Sequence, residues 1–165
     1  MERSTRSALR KNSVAYKTYT TDALVIGSED RLTTDRMFAL FTRDAGLVYA
    51  RAMGVRKEAS KLRYGLQDFS LVRASLVCGK QGWRITGAER ASNLYFSISD
   101  RRVRGALLRT LKLVRRLVQG EETHAALYDI LIDGLLTLCV CQADELVRGE
   151  RILMLRILSA LGYVS

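Results

Sequence analysis

Between Arg51 and Arg63 the chain carries five cations, Arg51, Arg56, Lys57, Lys61 and Arg63, against a single acid, Glu58. Guanidinium and ammonium groups gathered at this density suit the oxygens of phosphates. Aromatic residues are interleaved around them: Tyr19, Phe38, Phe41, Tyr49, Tyr64 and Trp83. An outward-facing ring can stack on an unpaired base for ~1–3 kcal/mol, whatever the base. Tyr49, outward on a strand, and Tyr64, on a loop, are read as stacking platforms, whereas Phe38, Phe41 and Trp83 are read as core. Arg73, on the outward side of a later strand, joins the set of candidate nucleic-acid contacts. A wholly solvated basic face is the plain alternative.

Residues with catalytic chemistry do not assemble in the same way. His124 is the only histidine and is read as a capping or surface residue. Phosphate-loop, dinucleotide-loop, zinc-protease and serine-nucleophile patterns are absent, and the acids show no grouping that reads as a nuclease metal site. Cys139 and Cys141 are two apart with no second Cys or His pair nearby to complete four zinc ligands, and with Cys78 they are read as small buried thiols. No catalytic residue, metal or cofactor is expected, and an enzymatic role is the weakest of the readings.

Charge is unevenly spread along the 165 residues, whose formal net value is +10. Residues 1–99 hold seventeen basic and nine acidic side chains, and residues 100–120 hold seven against one. Residues 121–165 reverse the balance, with three against seven. This asymmetry points to one positive working surface facing a polyanion. Nucleic acid, an anionic membrane surface and an acidic protein tail all have that chemistry. The basic start, residues 1–17, is read as a flexible tail without a secretory signal's apolar core. No stretch approaches the ~18 apolar residues of a membrane span, so a cytoplasmic protein without a membrane partner is expected.

Two kinds of periodicity must position these groups. Up to about residue 99, Val, Thr, Tyr and Phe recur in short runs broken by glycine turns. That pattern predicts strands near Tyr19–Gly27, Asp35–Thr42, Leu47–Met53, Phe69–Cys78 and Trp83–Glu89. Arg43-Asp44-Ala45-Gly46 reads as a hairpin turn, and Gly54 to Gln67 as a long basic connection. Beyond residue 99 the apolar spacing becomes helical. One helix is expected from an Asp100 cap to about Val118 with Gly120 ending it, a second over about Glu122–Cys141, and a third from an Asp144 cap to about Leu161. The fold class is therefore α+β: a five-stranded barrel over 18–99, then a small helical domain over 100–165. Periodicity leaves an OB-fold and an SH3-like barrel both open.

Three segments resemble the RecO family of bacterial recombination mediators. They are YTTDALVIGSEDRLTTDRMFALFTRDAGLVYARAMGVRK, SKLRYGLQDFSLVRASLVCGKQGWRITGAE and HAALYDILIDGLLTL. The first is similar to that family's strand, acidic turn, "TLFT-x-x-x-G" hairpin and "A-x-G-x-R-K". The second resembles its "S-x-L-x-x-x-L-Q-P-F" and following hairpin, and the third its helix after the barrel. The resemblance implies an OB-fold followed by helices, binding to single- and double-stranded DNA, strand annealing, and assistance to recombinase loading on DNA coated with single-strand-binding protein (SSB). It implies RecR and the acidic, apolar C-terminal tail of SSB as partners, and a cytoplasmic, nucleoid-associated place. Arg56 and Lys57 match the family's "R-K" positions, with Lys61 and Arg63 in the basic stretch that follows. Arg109, Lys112, Arg115 and Arg116 flank the apolar stripe of the first long helix and are candidates for the SSB tail.

The chain departs from the pattern in two places. Asp68 stands where the "LQPF" motif has proline, putting an acid beside the expected DNA surface. The sequence stops at LGYVS, where many relatives continue into a cysteine-rich, often zinc-binding module, so either a shortened member or a truncated piece of a longer chain is expected, without zinc. An OB-fold that binds structured RNA or a ribosome, and a peripheral membrane protein using its basic helix, remain the alternatives.

Overall fold

The computed structural model describes residues 17–31, 33–95, 98 and 100–164. The expected basic tail lies outside them except for Lys17. Nine elements follow in order: β1 Thr18–Arg31, β2 Asp35–Thr42, β3 Gly46–Ala52, α1 Leu62–Gly65, β4 Ser70–Gly79, β5 Gly82–Asn93, α2 Arg101–Leu117, α3 Ala125–Val140 and α4 Leu146–Ala160.

The strands close into a barrel in the order β1-β2-β3-β5-β4. Every pairing is antiparallel except the short parallel seam between β3 and β5, where Ala50 lies opposite Trp83 and Arg51 opposite Arg84. This strand order, closed by the parallel β3–β5 seam, is that of an OB-fold, which settles the alternative that periodicity left open. Strand side chains alternate in direction. Phe38 and Leu40 point inward against Ala50 and Val48, in a core shared with Ala23, Val25, Val72, Ala74, Leu76 and Ile85. Ala39 and Phe41 point outward with Leu24, Ile26 and Leu47, and there the helices cover them. Burial on both faces explains why β1 and β2 read as nearly unbroken apolar runs.

The helices sit on the outside of the barrel through one continuous apolar cluster that includes Leu107, Leu111, Val114, Leu127, Leu131 and Leu135. One ionic tie and one close backbone contact reinforce it. Arg43, in the β2–β3 turn, donates Nε and Nη2 to Asp129 of α3 at 2.9 and 2.8 Å. Gly46 closes the same turn at φ +62°, with a Cβ position only 2.2 Å from the Glu122 carbonyl oxygen. No side chain fits there, and Leu47 N donates to the Gly120 carbonyl beside it.

Several boundaries differ from those read along the chain. β1 and β5 run on to Arg31 and Asn93 because their far ends pair with β2 and β4, as in Arg31 with Asp35 and Asn93 with Ser70. Asp100 does cap α2, accepting from Arg102 N at 2.7 Å. α3, however, begins at Ala125, with His124 at its cap position and making no side-chain cap bond. Glu145, not Asp144, precedes α4. Cys78 is exposed rather than buried, because it pairs with Trp83 beside the Gly79–Gly82 turn at the end of the barrel. Among the described residues no helix is long and apolar enough to cross a membrane.

Candidate nucleic-acid interface

The outward face of β2 and β3 is covered near Phe41 and Leu47 and open at its other end. Tyr49 (50% exposed) and Met53 (54%) stand on the open part with Arg51 between them. The parallel seam brings Arg84 of β5 alongside Arg51. The turn at Lys80 and Gln81, with Trp83, completes an open pocket of about 260 Å³. Trp83 is half-buried at this rim rather than in the core. Its ring meets Tyr19 edge-on at 5.5 Å, and its Nε1 donates to Glu121 at 2.8 Å.

Arg51 is not an unengaged cation. Its Nε and Nη2 both donate to Oδ2 of buried Asp35, at 2.9 and 2.5 Å. The other oxygen of Asp35 accepts from Gly54 N at 2.7 Å and Thr34 Oγ1 at 3.1 Å. The Gly54 amide first, and Arg51 next, hold this carboxyl below its usual value. Arg51 therefore braces β3 to β2 while about a third of its side chain stays exposed.

The face continues onto the last turn of α2. Tyr49 and Arg115 line one small pocket of about 210 Å³, with Met37, Ala39 and Glu29 around it. Arg115 Nη2 approaches Glu29 at 3.8 Å, an exposed pair that contributes little to stability. Lys112 and Arg116 are exposed nearby on the same helix. Arg109 differs from these three. Its Nε and Nη2 clamp both oxygens of buried Glu150 on α4, at 2.6 and 2.7 Å, and this pairing raises its pKa. The acidic terminal helices thus neutralise one of the four arginine and lysine candidates for the SSB tail.

The basic connection is held by its own packing. Val55 and Leu66 are buried in the barrel interior, and α1 forms within the stretch expected to be loop. Lys57, Lys61, Arg63 and Tyr64 are exposed on it, Tyr64 by 66%. Arg56 and Arg63 face a second, larger cleft of about 650 Å³, which they share with Arg36. Arg73 is set apart from both groups. On β4 it lies opposite Asp22 on one side and Glu89 on the other, and it lines grooves with those acids.

The residues expected to act together thus fall into three sets: Tyr49 and Arg51 on the open face, Arg56 and Arg63 in the cleft with Lys57, Lys61 and Tyr64 on the same connection, and Arg73 on β4 between two acids. Sequence reading missed Arg36, Lys80 and Arg84. The basic turn Gly79-Lys80-Gln81-Gly82 signalled Lys80, but only the β3–β5 seam places Arg84.

A closed five-stranded barrel with a basic outer face and a three-helix buttress defines an OB-fold protein with a helical extension. Residues 16–93 match the sequence model of the family described as "Recombination protein O N terminal". Three curated relatives extend the likeness into the helices. "DNA repair protein RecO" of Heliobacterium modesticaldum is 32% identical over 146 residues, covering 88% of this chain and 52% of the relative. The proteins of that name from Pelotomaculum thermopropionicum and Myxococcus xanthus are 28% and 29% identical, covering 89% of this chain in each case and 56% and 59% of the relatives. The chain is similar to RecO proteins over nearly nine-tenths of its length, and it spans little more than half the length of these relatives.

Proposed function

We propose that this chain binds DNA across the open β2–β3 face and acts as a recombination mediator in DNA repair. The observation that carries this reading is the continuity of Tyr49, Arg51 and Arg84 on the barrel with Arg115 on α2. A sugar-phosphate chain needs cations at repeated spacing, and an exposed ring adds stacking that ignores sequence. The barrel, 18–99, is the DNA-binding part. The helices, 100–165, extend its rim and carry the partner surface. Both single and double strands fit a face whose contacts are to phosphate rather than to base edges.

Annealing requires no bond chemistry, so the role is not enzymatic. Two strands repel through their phosphates, and a protein that neutralises both removes that barrier. One strand lies on the barrel face and the other along the cations of α2. The SSB tail, acidic and apolar, would sit on Lys112, Arg115 and Arg116 beside the partly exposed Leu108, without Arg109. Contact with RecR, and a cytoplasmic, nucleoid-associated location, rest on family likeness alone.

The test is annealing of complementary oligonucleotides coated with SSB, compared with SSB lacking its tail. Faster annealing that depends on the tail is expected. No acceleration on either coat would refute mediation, and tighter binding to RNA hairpins than to DNA would move the protein to the RNA-binding reading.

A further inference from the structure

The larger cleft is built differently from the open face. Arg36, Arg56 and Arg63 line it together with Asp68, Phe69 and Tyr95. Asp30 already pairs with Arg36 at 2.7 Å and approaches Arg56 at 3.5 Å.

Phe69 is held in a costly conformation. Among the described residues it is the only non-glycine with positive φ, 68°, and strain of this kind gathers where a side chain must be aimed. Hydrogen bonds to both neighbours impose it: Phe69 N donates to the Val25 carbonyl at 2.8 Å, and its own carbonyl accepts from Leu94 N at 3.1 Å. The result is a ring stacked on Tyr95, 5.4 Å between centroids and 21° between planes. The Arg104 guanidinium lies 4.8 Å from the Tyr95 ring and is anchored on the Ile98 carbonyl.

Asp68 is the residue that a simple phosphate cleft does not explain. A carboxylate beside three guanidinium groups weakens their hold on an anion. One of its oxygens accepts from Ser28 Oγ at 2.9 Å, which leaves acceptor capacity unused on an exposed side chain. A carboxylate accepts well from the amino group on a base edge and repels a carbonyl there.

We propose that this cleft takes a single unstacked nucleotide of the bound strand, its phosphate on Arg56 and Arg63 and its base against Phe69. Asp68 then favours bases that present an exocyclic amino group, cytosine over thymine among the pyrimidines. This rests on the DNA-binding reading and adds a base preference to a surface that otherwise reads only phosphate.

The test compares equilibrium binding of oligodeoxycytidine and oligothymidine of equal length, at one salt concentration and neutral pH, to the wild type and to Asp68→Asn. Wild type should bind the cytidine strand about fivefold tighter, the lower end for one base-edge contact. Asp68→Asn should reduce that ratio to about one, because an amide both donates and accepts. Arg63→Ala should weaken both strands alike. Equal wild-type affinities, or a preference that survives Asp68→Asn, would overturn the cleft assignment while leaving DNA binding intact. Failure of both strands to bind at all would sink the DNA-binding reading and this inference with it.

Discussion

Replacing Arg56 and Lys57 together with alanine tests how phosphate is held. Both side chains are exposed, on a connection pinned by buried Val55 and Leu66, so their removal should leave the fold in place. With about five phosphates neutralised by the face and cleft, log K for a single strand falls with log salt at a slope of roughly −3.5. Each lost contact removes about 0.7 from that slope, so the double variant should show roughly −2.1. Between 50 and 200 mM salt the wild type would then lose about 130-fold in affinity and the variant only about 18-fold. Fluorescence anisotropy of a labelled single strand across a salt series measures this directly. Weakening should be the same for every sequence apart from the preference assigned to Asp68. A variant with the wild-type slope would show that these two cations touch no phosphate and would place the DNA elsewhere.

Two further outcomes concern the framework beneath the face. Gly46→Ala should destabilise the protein by about 2–4 kcal/mol in urea unfolding, combining a left-handed conformation with overpacking against the Glu122 carbonyl; an unchanged midpoint would mean that the turn and the α2–α3 connection are not locked together. The carboxyls of Asp35 and Asp129 are held below their usual value, by the Gly54 amide and by Arg43 respectively, so their stabilising contribution is present above about pH 4 and is lost as pH falls through the lowered folded values. Asp35→Asn should therefore lower the melting temperature at pH 7 and lessen its fall between pH 5 and pH 2, and an equal fall in both proteins would contradict the role given to Asp35.

Local patterns carried most of the fold into the sequence. Phe38, Leu40, Val48 and Val72 alternate or run as strand residues do, and the Arg43–Gly46 turn is written in residues that suit a tight hairpin with Gly46 at positive φ. The cap at Asp100 was equally local, because an aspartate before a run of helix formers needs no tertiary partner to be recognised. The ends of β1 and β5 were not legible, because their length is set by pairing with strands far along the chain.

The cations of the candidate interface were legible in composition, but their arrangement was not. Arg51 and Arg109 look like any other surface arginines until Asp35 and Glu150 are brought to them from 16 and 41 residues away. Arg84 and Arg115 enter the open face only through the β3–β5 seam and the docking of α2, neither of which has a sequence signature. Arg73, placed with the others because it faces outward from a strand, is set between Asp22 and Glu89 because β4 pairs with β1 and β5. Charge along a sequence therefore does not say which cations will share a face.

The claim beneath all of this is that a nucleic-acid strand runs over Tyr49 and Arg84. It is tested most directly by measuring single-strand affinity for Tyr49→Ala with Arg84→Ala, set beside Arg73→Ala on β4, where Asp22 and Glu89 flank the arginine. The account predicts a loss of tenfold or more for the first protein, about one stacked base and one phosphate, and near wild-type affinity for the second. Intact binding by the double variant, with loss confined to Arg73→Ala, would contradict it.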